Sequence, residues 1–249
     1  MGLGDWVQAT GEAKVHHAAT GRRVCFGNGG KFYWSEVFDG NPRLARAPAP
    51  DVDVLVQGGG ARPYIAEKGG KRWIWKPYKP IPGELYFTPA ELEFARGFRH
   101  KIILGPDVKQ VGHINKDWGR ARWVELTRLL CGLPIAQFVS MGLRNAPLPG
   151  VEQIGTETFR QAAAVLAGAR AAVLHEGGLH HAAAAVGAPA VVIFGGFISP
   201  AVTGYDMHRN LFAGDGLGCG SRINCQHCRD CMATITPTIV ANALRELLG

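Results

Sequence analysis

Residues 171–195 read AAVLHEGGLHHAAAAVGAPAVVIFG. Ala171–Leu174 is a short apolar run that ends at His175-Glu176-Gly177-Gly178, which predicts a buried strand closed by a glycine turn. Leu179–Val186 is Ala-rich and follows those glycines, so a helix begins near Gly178. Gly187 and Pro189 break it, and Ala190–Phe194 is a second apolar strand. A strand, a helix and a strand in this compass imply a parallel sheet with helices on its faces.

Outward from this unit the alternation continues. Lys101–Leu104 and Ile135–Met141 read as strands. Trp118–Cys131 has helical spacing at Trp123, Leu126, Leu129 and Leu130, and Thr158–Ala167 is an Ala-rich helix. Thr236-Pro237 opens a last helix to Leu248, with Thr as N-cap and Pro at its first position. In the first half, Trp6–Thr20 is predicted helical, with Asp5 as its N-cap. Arg22–Gly27 and Asp53–Gln57 read as strands, Asp39–Pro42 as a turn, Gly58–Pro82 as loops and Pro89–Gly97 as a short helix. A boundary near 97–101 gives two α/β units, 1–99 and 100–249, facing each other across a cleft.

The 249 residues are 47% hydrophobic and 19% charged, which excludes wholesale disorder. The 34 glycines and 15 prolines follow no period, which excludes collagen. The uncharged run Ala182–Ile198 is interrupted by Gly187 and Pro189, so no transmembrane segment is expected. Without a cationic-then-apolar leader, the cytoplasm is the expected compartment. A formal charge of +7 favours anionic partners, whether nucleotides, phosphorylated glycans or nucleic acid, and is compatible with peripheral contact with a membrane.

Three segments carry the candidate chemistry. Two glycines at a helix start let backbone N–H groups approach a diphosphate, and the helix dipole favours its charge. Glu176 can accept from ribose or sugar hydroxyls, and His181, one turn on, can donate to a phosphate or a departing oxygen. Lys116, before the helix at Trp118 on the same rim of the sheet, is placed to pair with a phosphate. Gly2-Leu3-Gly4-Asp5 precedes the first helix. There Asp5 is either a cap or a general base facing the cleft.

Together these segments resemble glycosyltransferase family 9, the ADP-heptose:lipopolysaccharide heptosyltransferases. The matching pieces are Gly4-Asp5, Lys116-Asp117-Trp118, Glu176–His181, the Ala-rich helix, Gly187-Ala188-Pro189, Ala190–Phe194 and Gly195. The resemblance runs from about Val111 to the C-terminus, and more weakly over Gly2–Ala45. It implies a GT-B fold of two Rossmann-like domains, the first reduced: the family has a strand before the Gly-Asp loop and this sequence opens at that loop, so either that strand is absent or the sequence is shortened at its start. It also implies inverting transfer from a nucleotide-sugar, ADP- or UDP-linked, with no catalytic cofactor. On the carried-over roles Asp5 deprotonates the acceptor hydroxyl, Lys116, Gly177 and Gly178 hold the diphosphate, Glu176 contacts the donor, and His181 takes the place of the family's histidine. Glu176 stands for the family's Asp and Gly177 for its hydroxyl residue, which leaves sugar and nucleotide open.

Cys219, Cys225, Cys228 and Cys231 lie within thirteen residues at spacings of five, two and two. Four thiolates suit a structural zinc, the run from Cys225 matches part of an iron–sulfur ligand pattern, and reduced thiols without metal are the plain alternative. Cys25 and Cys131 read as core residues. Lys68–Lys79 interleaves five cations with Trp73, Trp75 and Tyr78. A strand with both tryptophans inward explains it, and a contact with an anionic acceptor is the functional reading. The sequence leaves two competing functions: a glycosyltransferase acting on modified DNA bases, and a non-catalytic, metal-stabilised nucleic-acid-binding protein on a degenerate transferase scaffold.

Overall fold

A computed structural model describes residues 2–58, 62–108, 114–139 and 147–249. The first unit opens with helix α1 (Leu3–Thr20), followed by strands β1 (Arg23–Asn28), β2 (Lys31–Tyr33) and β3 (Val52–Val56). Strand β1 lies between antiparallel β2 and parallel β3. Trp6, Val7, Ala9 and Ala13 of α1 pack with Val24, Phe26 and Phe38 in a core of their own. A hairpin of β4 (Ile65–Lys68) and β5 (Trp73–Trp75) follows, then helix α2 (Pro89–Arg96), capped by Thr88 and Glu91.

The hairpin occupies part of the stretch expected to be loops. Its strands are three and four residues long and interrupted by Gly and charge, so the local signal is weak. The inward-facing tryptophans are borne out in part: Trp75 is buried, Trp73 half-buried and Ile74 between them exposed.

The second unit is a six-stranded, wholly parallel sheet. In chain order it comprises β6 (Ile102–Gly105), α3 (Arg120–Leu129), β7 (Ile135–Val139), β8 (Glu152–Gly155), α4 (Phe159–Ala167), β9 (Ala171–His175), α5 (Gly178–Ala185) and β10 (Ala190–Gly195). After these come the single turn α6 (Pro200–Thr203), β11 (Arg209–Phe212), α7 (Gln226–Thr234) and α8 (Pro237–Leu248). The spatial order is β11-β10-β9-β6-β7-β8. The direction of winding reverses between β6 and β9, as in doubly wound folds. Helices cover both faces, and consecutive residues divide between them. Ile103 joins the cluster with α4 and α5, while Ile102 and Leu104 join the cluster with α3 and α8. Strands buried on both faces read as unbroken apolar runs, which is why β6, β9 and β10 are legible in sequence.

Helix α3 starts two residues later than the spacing suggests, because Trp118 leaves the helix to fill the core. Its indole Nε1 donates to Ile235 O at 2.6 Å. Helix α1 starts earlier than expected, with Gly2 as N-cap and Asp5 in the first turn, where Asp5 Oδ2 accepts from Gly2 N at 2.8 Å. Val111, where the resemblance begins, and Ser140 and Met141, at the end of an expected strand, lie outside the described residues. So do 59–61 of the expected loop. Among the described residues no helix is long and apolar enough to cross a membrane.

Candidate active site

Parallel sheets bind ligands beyond the carboxyl ends of their strands, where the winding reverses. Here that point lies between Gly105, which ends β6, and His175, which ends β9. A cavity of about 580 Å³ opens there, lined among others by Asp5, Lys116, Glu176, Gly178 and Trp73.

Two helix N-termini meet at this cavity. A Cβ on Gly4 would stand 2.8 Å from His181 Cδ2 and 2.9 Å from Gly178 Cα, so only glycine lets α1 touch α5 this closely. Gly177 has φ 153° and ψ −157°, a conformation open essentially to glycine alone. It turns the chain from β9 into α5. His180 then caps the helix: its Nδ1 accepts from Gly177 N at 3.0 Å, while its Nε2 lies 2.9 Å from Thr203 O. The first-turn N–H groups of a helix have no acceptor in its own backbone ladder, and with two positive dipole ends they suit a group bearing two negative charges.

Lys116 and Glu176 form an ion pair beside these helix starts, and both are buried. Thr203 Oγ1 donates to the other carboxylate oxygen at 3.1 Å. Burial works against the charge of Glu176, but the Lys116 ammonium, His180 and Thr203 outweigh it and hold its pKa below the usual value. The Lys116 ammonium also stands 5.1 Å from the Phe197 ring centroid.

Asp5 is held from several directions. Arg62 Nε lies 3.0 Å from each carboxylate oxygen, Tyr64 donates to Oδ1 at 2.5 Å, and Gly2 N donates to Oδ2. Burial first, then the Asp5 charge, raises the Tyr64 phenol well above its usual range, so it stays a donor. His181 is neutral, its pKa driven well below the usual imidazole value by burial and by His180 and Lys116. Its nitrogens are engaged by Tyr205 Oη at 2.9 Å and Gln8 Nε2 at 2.8 Å. His175, at the floor, accepts from Trp118 N at 3.1 Å, and burial lowers its pKa to about 3.

The structure therefore brings Asp5, Lys116, Glu176, Gly177, Gly178 and His181 to one cavity. Sequence reasoning missed Arg62, Tyr64, Thr203, Tyr205 and the capping role of His180. These are partners chosen by tertiary contact, and no spacing along the chain announces them.

The cysteines lie on a loop after β11 and on α7. Ligand-type atoms of Cys219, Cys225, His227 and Cys228 all fall within 4.8 Å of one another, with Cys219 and Cys228 sulfurs 3.0 Å apart. Cys231 is not in this group; its sulfur lies 3.5 Å from His227 Nε2. The Cys228 contact, above all, lowers the Cys219 thiol to about 5, and the same contact raises Cys228. Three sulfurs and one imidazole are a donor set that a tetrahedral thiophilic ion takes. With bonds of about 2.3 Å such an ion needs sulfurs roughly 3.8 Å apart, so Cys219 and Cys228 need separate by less than about 1 Å.

The sequence profile of glycosyltransferase family 9 (heptosyltransferase) matches residues 82–230. Among solved structures, the iron-containing dodecameric glycosyltransferase TibC of enterotoxigenic E. coli H10407 is similar over 98% of this chain and 73% of that one, at 14% identity and a TM-score of 0.62. The family 9 glycosyl transferase of Veillonella parvula DSM 2008 is similar over 67% of this chain and 53% of its own, at 14% identity and a TM-score of 0.51. For the ADP-heptose LPS heptosyltransferase II of E. coli the shares are 69% and 55%, at 23% identity and a TM-score of 0.49. The chain thus spans about half the length of the last two. The TibC and Veillonella likenesses establish the shared α/β fold. No curated protein sequence matches the chain.

Proposed function

The chain belongs to glycosyltransferase family 9, and on that premise we propose that it transfers a sugar from a nucleotide-diphosphate donor to a hydroxyl of an anionic acceptor. The observation that carries this reading is the meeting of the α1 and α5 N-termini beside Lys116. A diphosphate linking nucleoside and sugar fits two sets of helix amides and one ammonium. The donor competes with Glu176 for that ammonium, and the carboxylate oxygen it frees accepts from a ribose or sugar hydroxyl. ADP-sugars, the donors that the family resemblance implies, are the first candidates; UDP-sugars are the alternative.

Asp5 stands across the same cavity as the base. An acceptor hydroxyl that takes the place of Tyr64 at Oδ1 gives its proton to Asp5 as its oxygen attacks the anomeric carbon. The bond from that carbon to the diphosphate breaks on the opposite side, and the configuration inverts. The departing charge falls to the helix amides and Lys116. His181, neutral and held at both nitrogens, acts as the strut between α1 and α5. The acceptor side is the wall of Trp73 and Trp75, where Arg62 and Arg222 stand 5.3 and 5.0 Å from the Trp73 ring. Indole faces stack on sugar rings and the two guanidinium groups pair with phosphate. A phosphorylated glycan fits this wall.

The Cys219, Cys225, His227 and Cys228 group would hold a structural zinc or iron ion. The iron-containing TibC is the relative that supports a metal here. Such an ion would brace the loop it closes.

Titration of ADP- and UDP-sugars by calorimetry tests the donor site. Wild type should bind one of them, and Lys116→Ala should bind at least about tenfold more weakly. Equal, undetectable binding by both proteins removes the main support.

A further inference from the structure

The segment between the first two cysteines of the group, Cys219 and Cys225, touches both walls of the donor cavity. On one side, Trp73 N donates to Gly220 O at 2.9 Å, Arg222 N donates to Lys71 O at 2.8 Å, and Ser221 bridges Arg72 in antiparallel register. The segment thus extends the β4–β5 hairpin, whose tryptophans face the cavity. On the other side stands Asn115, buried, with its whole amide given to this segment. Its Nδ2 donates to Ser221 O at 2.7 Å and to Ile223 O at 2.8 Å, and its Oδ1 accepts from Cys225 N at 3.0 Å. The next residue in the chain is Lys116.

An amide that makes three hydrogen bonds to one segment fixes that segment's position against its own backbone. Cys219 and Cys225, in turn, mark the two ends of the segment. Their sulfurs come within reach of one ion together with His227 and Cys228, which sit on the first turn of α7. The ion would therefore pin the segment to α7, Asn115 passes that position to Lys116, and Gly220 passes it to Trp73. Hydrogen bonds from Cys219 N to Gly196 O and Gly220 N to Phe197 O, both 2.9 Å, tie the same segment to the end of β10.

We propose that a thiophilic tetrahedral ion held by Cys219, Cys225, His227 and Cys228 is coupled to nucleotide-diphosphate binding through Asn115, which acts as a positioning residue for Lys116. This rests on the reading of the cavity as a donor site. Coupling of this kind is a free energy shared by two sites, so it is reciprocal: the ion raises affinity for the nucleotide, and the nucleotide raises affinity for the ion.

The test uses ADP and UDP as probes and the intact protein. Elemental analysis of the purified chain should give one zinc or iron per chain, and Co²⁺ added to the stripped protein should give a thiolate charge-transfer band. Calorimetry should then show nucleotide affinity falling at least about tenfold on stripping and returning with the ion. In Asn115→Ala the ion should remain at one equivalent, nucleotide affinity should be reduced in the loaded state, and stripping should change it no further. The loss of linkage at unchanged metal content separates a positioning role from a general loss of stability, which the cobalt spectrum and thermal unfolding report directly. Cys231→Ala should keep the ion and His227→Ala should weaken it.

If loaded wild type binds neither ADP nor UDP, the donor reading falls and this proposal with it. If it binds a nucleotide with equal affinity before and after stripping, the coupling alone is overturned. If no ion is retained and Co²⁺ gives no band, the metal site is overturned while the donor reading stands.

Discussion

Lys116 and Glu176 are each expensive to bury alone and tolerable only as a pair. Lys116→Ala leaves a buried carboxylate whose remaining side-chain partner is the Thr203 hydroxyl. Such a loss is expected to destabilise the fold by about 3–5 kcal/mol. Lys116→Ala/Glu176→Gln removes both charges and should recover most of that loss in urea unfolding, without restoring nucleotide affinity. A double variant no more stable than the single would show that the pair is not what burial holds together. Asp5 makes a different demand. Asp5→Asn keeps the shape of the side chain but cannot take a proton. Transfer should fall about 10²–10⁴-fold, the usual worth of a general base, while nucleotide affinity measured by calorimetry stays within about threefold. Retained turnover in Asp5→Asn would place the base elsewhere.

At the scale of the element, the contact of α1 with α5 has the least slack. The atoms that a Gly4 Cβ would strike are Gly178 Cα in the backbone and the His181 ring, which is held at both nitrogens. Neither can swing away, so Gly4→Ala must push the helices apart, at a cost of about 1–3 kcal/mol. Nucleotide affinity should drop with it, because the two sets of amides separate. Thermal unfolding and calorimetry on one variant check both, and an unchanged affinity would detach the anion site from the helix meeting. Much of this level is legible in the sequence, and the part that is not has a physical reason. Thr236 caps the last helix as its Thr-Pro pair predicts, Thr88 and Thr158 cap helices whose starts are predicted within a residue, and β6, β9 and β10 are apolar because both of their faces are covered. The edge strands β2, β8 and β11 are short and partly exposed, so their residues carry no burial pattern to read. In the site, the glycines and Lys116 are visible because backbone approach and charge demand particular residue types. Tyr64, Thr203 and Asn115 belong to types common anywhere, and only the fold brings them to the cavity. His227 escaped notice because the cysteine spacing offered four sulfurs, whereas the helical turn after Cys225 gathers the imidazole with three of them.

On the scale of the whole molecule, the two units are joined by charge as well as by apolar packing. Arg160, buried on α4, pairs with Glu91 of α2 at 2.7 and 2.8 Å and donates to the carbonyls of Glu36, Asp39 and Tyr86. Arg160→Ala leaves Glu91 only its Thr88 partners and takes one donor from each of three carbonyls, and should cost about 3–5 kcal/mol. A denaturant midpoint equal to wild type would refute that.

The interior of the larger unit also sets how the protein responds to acid. His175 and His208 are buried with pKa values lowered to about 3, chiefly by burial, and His181 is lowered well below its usual value. In the unfolded chain each takes up a proton near pH ~6.5, while the folded chain keeps it neutral. The unfolded state therefore binds more protons, and stability rises with pH across this window. The contribution is complete above about pH 6.5 and is lost as pH falls toward about 3. At about 1.4 kcal/mol per pH unit, each such histidine removes about 2 kcal/mol between about pH 6.5 and 5. The carboxylates with lowered pKa add their share only at lower pH, since Glu176 starts from an ordinary value of 4.5. Urea unfolding at about pH 7, 6 and 5 should show this loss, and His208→Leu should reduce its slope by one histidine's share. A stability flat across that range would mean that these rings are solvated in the folded protein, which would overturn the dry floor that His175 gives the cavity, and a slope unmoved by His208→Leu would mean that His208 itself is solvated.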